Sequence, residues 1–220
     1  MLAHTAIPHL RSRLVGSAFA LILGACATVP AAPPVFVPDV VSAFTQKVPG
    51  RWALAISNAS LDTQIAPKDF ACGDLTFPVG LDAPLPRYVV QSFRQIANDV
   101  TPVDHILSDE EIRAGGYSGQ IVLGSAALVP DVAFAQHGLT AYIDSNMALS
   151  ATLDVRGHGG ALLHRAFTVN GISHTDAGII CQNGTGGIAR AADSAMQQLA
   201  VAAATAFTDS TSVRLTVASR

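Results

Sequence analysis

Lysine and glutamate are almost missing from this 220-residue chain: the lysines are Lys47 and Lys68, and the glutamates are Glu110 and Glu111. Charged residues make up only 13%, and the arginines are scattered singly along the sequence. No run of clustered cations, such as a nucleic-acid-binding surface uses, is present in the sequence, which argues against nucleic acid as a partner. Aromatic residues are few, at 6%, with Trp52 the sole tryptophan, so the core must rely on aliphatic and small side chains. After residue 25 no segment is long and apolar enough to cross a bilayer. The chain also lacks a G-x-S-x-G elbow, an H-E-x-x-H pair, a C-x-x-C, a phosphate loop ending in Gly-Lys-Ser/Thr, and a dinucleotide fingerprint. No catalytic residue, metal ligand or cofactor is assigned on these grounds, and the chain is expected not to be an enzyme. A triad gathered from distant residues is the reading left open, because such groups meet only in three dimensions.

What is present is clearest at the start. Met1–Ala25 has the plan of a secretory signal: Arg11 and Arg13, an apolar stretch from Leu14 to Leu23, then small residues. The apolar stretch is much shorter than the roughly 20 residues a membrane span needs. Leu23-Gly24-Ala25-Cys26 resembles the lipobox of bacterial lipoproteins, and that resemblance makes Cys26 the lipidated first residue of the mature chain. The competing readings are an ordinary cleaved signal with a chance cysteine, or an uncleaved membrane helix. Removing residues 1–25 leaves 195, with 11 basic and 16 acidic residues, a formal charge of −5. That length suits one domain plus a tether.

Two further cysteines, Cys72 and Cys181, form an even pair in an oxidising compartment, and a disulfide between them is expected. Two buried free thiols, or a metal pair assisted by His174, are the alternatives. Five histidines remain in the mature chain, at 105, 137, 158, 164 and 174, and none belongs to a motif. His158 falls in an expected turn and His164 alternates within an expected strand, which suits structural or surface roles.

The mature chain reads as a Pro-rich tether over residues 26–48, a single α+β domain over residues 49–210, and a tail over residues 211–220. The stretch beginning Ala27-Thr28-Val29-Pro30 favours extended geometry. Arg51–Ser57 is a strand with Trp52, Leu54 and Ile56 on one face, and Leu75–Val79 a short edge strand because it contains Pro78. Pro86 starts a helix whose apolar residues Val89, Phe93, Ile96, Ala97 and Val100 recur at spacings of three and four, with Pro102 ending it. Ser108-Asp109-Glu110-Glu111 matches a capping box. Calcium ligation by this acidic cluster is the weaker reading, since the alternating oxygens of a calcium loop are missing.

From Gln120 the pattern turns to β: Ile121–Val129 and Val132–Ala135 form two strands or one bent strand, and the runs on either side of Gly157-His158-Gly159-Gly160 form a hairpin. A last helix from about Ile188 to Phe207 carries Ala192, Ala195, Met196, Leu199 and Ala203 on one face, and Val213–Val217 is a short strand or a partner-binding tail.

The succession carried by Arg51–Ser57, Pro86–Val100, Thr140–Gly171 and Ile188–Asp209 resembles the small envelope lipoproteins of the YajG-like kind and, more loosely, the LptE-like kind. The stretch around Cys72 and the cysteine pair depart from both. The resemblance implies an antiparallel sheet with two main helices on one face, preceded by signal peptide and tether, and a non-catalytic role. It further implies a lipid-anchored (palmitate-bearing) protein on the periplasmic face of the outer membrane. Its partners would be the membrane, through Cys26, and an envelope protein in whose assembly it takes part. A lipid or small-ligand carrier is the alternative, and a periplasmic hydrolase a third. Digestion without reduction should release one peptide linking Cys72 to Cys181; two freely alkylated thiols in the native protein would end the disulfide assignment.

Overall fold

Apolar residues fill both faces of the first strand, β1 (Val48–Ser57): Trp52, Ala53, Leu54 and Ala55 are all buried. A strand buried on both sides belongs in the interior of a sheet, and parallel neighbours are typical there. The computed structural model describes residues 39–41, 44–57, 60–66, 75–138, 140–178, 181 and 183–218, and within them the backbone alone at 125, 126, 136, 137, 140, 217 and 218. The signal segment, Cys26, residues 27–38 and Cys72 lie outside the described residues.

After β1 come a small antiparallel pair, β2 (Thr63–Ile65) and β3 (Phe77–Val79), then helix α1 (Pro84–Ile96) and β4 (Ala97–Val103). A short helix α2 (Asp109–Ala114) leads into three long strands, β5 (Gly119–His137), β6 (Thr140–Gly157) and β7 (Gly160–Asp176), and the chain closes with α3 (Gly184–Asp209) and α4 (Thr211–Ala218). The main sheet runs β4-β1-β5-β6-β7. It is antiparallel across β5-β6-β7 and parallel where β1 meets β4 and β5. The fold class is α+β as the sequence implies, with α1 and α3 the two main helices over one face. No described helix is long and apolar enough to cross a membrane.

Several sequence expectations change on contact with the structure. The first helix stops at Ile96, and Ala97 and Val100 belong to β4 rather than to its apolar stripe. Both are buried in either arrangement, so their helical spacing is no guide. Pro102 does not end a helix; it sits in β4, an edge strand of the sheet, where its missing N–H costs no ladder bond on the open side. Ile121–Ala135 is one bent strand, with a register shift between Gly124 and Ala127. Residues Val213–Val217 are helical rather than a strand, and Val213 is buried in the core.

The helices are seated by aromatic contacts. Phe207 of α3 meets Trp52 of β1 edge-on, with ring centroids 5.0 Å apart, and Phe93 of α1 at 5.5 Å. All three rings are fully buried. Alanines 191, 195, 200, 203 and 204 of α3 are buried too, and the helix approaches β7 so closely that a Cβ on Gly171 would collide with the Ala191 carbonyl. A second link joins the helices: the Tyr88 hydroxyl donates to Asp193, whose other oxygen accepts from Gln197 at 2.9 Å. Burial, then the Asp193 hydrogen bond, push the Tyr88 pKa up to about 12.

Cys181 is buried, partnered rather than free, and has a φ of 58°, a left-handed conformation unusual for a residue with a side chain. Replacing Phe207 by Ala should cost about 3–5 kcal/mol, through lost burial and a cavity shared by both helices and the sheet. Urea unfolding followed by Trp52 fluorescence measures it, and a loss under about 1 kcal/mol would show that the aromatic contact does not seat α3.

Candidate interaction surface

The two faces of the sheet are treated differently from end to end. Over the parallel end the outer face is closed by α2. Ile112 and Leu107 pack on Ala53, with Val103 and Tyr117 beside them. The α2 capping box forms as the sequence implies: the Ser108 hydroxyl accepts from the Glu111 amide at 3.2 Å, and Glu111 accepts from the Ser108 amide at 2.7 Å. Beneath it the fully buried Gln120 accepts from the Leu107 amide at 3.0 Å and from Arg156 at 2.9 Å, and donates to the His105 carbonyl at 3.0 Å. These bonds hold the loop before α2 against the sheet, because a buried amide left unpaired would be costly.

Over β5-β6-β7 no described helix closes the outer face. The inner residues of β6, namely Ile143, Ser145, Met147, Leu149, Ala151, Leu153 and Val155, are buried, while the alternating residues are exposed or half-buried. Two cross-strand pairs mark this outer face. His164 faces Asp154 at 2.5 Å, and His174 faces Asp144 at 2.5 Å with its ring stacked on Tyr142. Val129 and Ile172 are exposed on the same side, 63% and 72% open to solvent. The two pairs are ten residues apart on each strand, roughly 34 Å at about 3.4 Å per residue.

The other histidines are dispersed. His158 sits in the β6–β7 turn as expected and bonds the Tyr117 carbonyl at 2.8 Å. His105 bridges Asp104 at 2.6 Å and Glu111 at 3.4 Å. The side chain of His137 lies outside the described residues. Among the described residues no three His, Cys, Asp or Glu side chains converge as metal ligands. Two open depressions, one along Arg87, Val90 and Arg94 and one at Lys47, Asn98 and Arg214, contain no histidine. The His–Asp pairs thus lie on an open face, without the enclosure that shields acid–base chemistry from water. Nothing local in the sequence marks these pairs: the hairpin is legible there, but its register is not. Of the sites assigned from sequence, Cys26 and Cys72 lie outside the described residues and Cys181 lies away from this face, just before α3.

No protein-family model and no curated protein matches the chain. Among solved structures, it is similar to protein XCC0632 from Xanthomonas campestris, of the family DUF330. Identity there is 14%, coverage is 83% of this chain and 95% of that one, and the TM-score is 0.45. A candidate neuraminyllactose-binding hemagglutinin homolog from Helicobacter pylori is similar at 9% identity over 78% of this chain and 87% of that one, with a TM-score of 0.29. At these values neither likeness bears on what the chain does.

The acid–base behaviour of the α2 cap has a definite sign. Hydrogen bonds that the protonated ring donates to Asp104 and then to Glu111 raise the His105 pKa above its ordinary 6.5. The Ser108 amide and hydroxyl, then His105, lower that of Glu111 below its ordinary 4.5. Stability from His105 is therefore complete below pH 6.5 and fades as pH rises through its raised pKa. That from Glu111 is complete above pH 4.5 and fades as pH falls through its lowered one. The cap should be tightest between those limits. An NMR titration should place His105 above 6.5, and Glu111→Gln should lower it. An unchanged His105 midpoint would show that Glu111 does not hold the imidazolium.

Proposed function

We propose that the chain is a periplasm-facing, lipid-anchored binding or assembly module of the bacterial envelope, non-catalytic, held to the outer membrane through Cys26. Its partner is an envelope protein, which docks on the outer face of β5-β6-β7. One observation carries the reading: three strands of 17 to 19 residues are covered on one face by helices, and among the described residues no helix covers the other. An antiparallel sheet with a free face is a common platform for protein contact. Exposed Val129 and Ile172 supply apolar anchors, and the His–Asp pairs supply hydrogen-bonding groups around them.

The carrier alternative wants an apolar space between helices and sheet. That space is occupied by Trp52, Phe93, Phe207 and Met147, all fully buried. No observation favours the carrier, and it enters as an outcome of the test.

The test is crosslinked affinity purification from native membranes, comparing the natural sequence with Cys26→Ser and with Ile172→Glu. A defined envelope protein should be recovered in stoichiometric amount, and Ile172→Glu should cut that recovery at least tenfold while the protein stays in the membrane fraction. Cys26→Ser should release it from that fraction. Recovery of lipid with no stoichiometric protein would move the carrier ahead, and unchanged capture by Ile172→Glu would place the contact elsewhere.

A further inference from the structure

Cations that are scattered in the sequence are gathered by the fold. Of nine described lysines and arginines, four lie along one side of the helical layer: Lys47, Arg87, Arg94 and Arg214. Arg87 and Arg94 are seven residues apart on α1, two helical turns, so both point outward from the same stripe and are exposed. The Lys47 ammonium donates to the Arg94 carbonyl at 2.8 Å, which ties the segment before β1 to this stripe. Arg214 of α4 donates to the Gln46 carbonyl at 3.2 Å and lies 3.8 Å over the ring of Phe44. None of the four has a carboxylate within ion-pair distance among the described residues, whereas Arg51 pairs with Asp99. Beside them Phe44 is 44% exposed and Val41 81% exposed.

Cations without carboxylate partners, interleaved with an exposed aromatic and an exposed aliphatic side chain, match the chemistry of a membrane interface, where cations meet anionic headgroups and apolar groups enter the boundary. We propose that this side of the helical layer rests on an anionic lipid surface. Position supports the choice of occupant. The first described residues of the domain run across this same side: the Val40 amide donates to Gln95 of α1 at 2.9 Å, and the Val41 carbonyl accepts from Thr205 of α3 at 3.5 Å. Asp39 stands thirteen positions after Cys26, and that length of chain, fully extended, reaches at most about 45 Å. On the reading of Cys26 as a lipid anchor, on which the orientation rests, the cations emerge where the chain comes up from the membrane.

The test uses the chain from Ala27 to Arg220, which lacks the anchor residue Cys26, so carries no acyl chain, and holds every described buried residue of the core. It should co-sediment with vesicles of about 30% phosphatidylglycerol in phosphatidylcholine at low salt, and not with pure phosphatidylcholine. Binding should weaken as ionic strength rises. Lys47→Glu with Arg94→Glu should reduce binding at least tenfold. Arg113→Glu with Arg190→Glu, the same change in net charge elsewhere, should reduce it less than twofold. Circular dichroism checks that both variants fold, and Lys47→Gln with Arg94→Gln repeats the comparison without adding acid. Equal losses in the two pairs, or no binding of the unaltered chain to anionic vesicles, would overturn the proposal. The mass of the N-terminal peptide from membranes reports acylation of Cys26 independently, so loss of the anchor and loss of the surface are told apart.

Discussion

The meeting of Trp52, Phe93 and Phe207 is the contact on which the rest of the arrangement depends. It joins the strand at the parallel end of the sheet to both long helices, so it fixes which face those helices cover and where α3 crosses. From that point α3 runs over β6 and β7, and the missing side chain at Gly171 lets it lie close. With α1, α3 and α4 all contributing to the main core, α2 is the described helix that covers the other face. It reaches just the parallel end, where β1 needs cover on both sides. The open face of β5-β6-β7 is thus what remains once the aromatic contact has placed the helices.

Elements whose signals are local were legible in the sequence. The capping box at Ser108, the glycine turn at Gly157–Gly160 and the alanine-rich stripe of α3 each depend on residues a few positions apart, and each appears where those residues imply it. The boundary between α1 and β4 was not legible. Ala97 and Val100 are apolar and buried in either conformation, and only pairing with β1, some fifty residues earlier, makes them a strand. Pro102 misled for the same reason: proline ends a helix and is equally at home on a sheet edge, and sequence alone does not say which neighbour is missing. In α4, Val213 and Leu215 alternate with polar residues like a strand, yet burial of Val213 in the core goes with a helical turn.

The candidate surfaces show where local reading stops. Counting outward from the turn, Gly157 pairs with Gly160, and Asp154 would then oppose Leu163. A one-residue register shift between Val155 and Arg156 brings His164 opposite Asp154 instead. Because side chains alternate along a strand, that shift also carries Leu163, Phe167 and Val169 to the inner side and His164 and His174 to the outer one. One bulge therefore decides both the packing of β7 and the chemistry of the open face, and it has no signature in the sequence. The cationic side is hidden differently. Lys47, Arg94 and Arg214 are separated by 47 and 120 residues and become neighbours only through the packing of α1 and α4 beside the segment before β1.

The two surfaces lie on opposite sides of the sheet, and this relates them mechanically. Arg87 and Arg94 project from a helix packed on the inner face, while Val129, Ile172 and the His–Asp pairs stand on the outer face. A domain lying on lipid through its helices turns the open sheet away from the membrane. One that hangs from its tether alone has no such preference, and its sheet would meet a partner at every angle. Weak attraction from a few cations is enough to orient a domain that is already held nearby, even though it could not hold the domain by itself. On the proposed lipid anchor at Cys26, restriction to within a tether's length of the surface would raise the local concentration of headgroups far above its bulk value. The scarcity of charge elsewhere on the chain helps here, since an orienting field needs contrast more than strength. With 13 basic and 16 acidic residues in the whole sequence, four cations on one side that have no carboxylate partner among the described residues are enough to supply it.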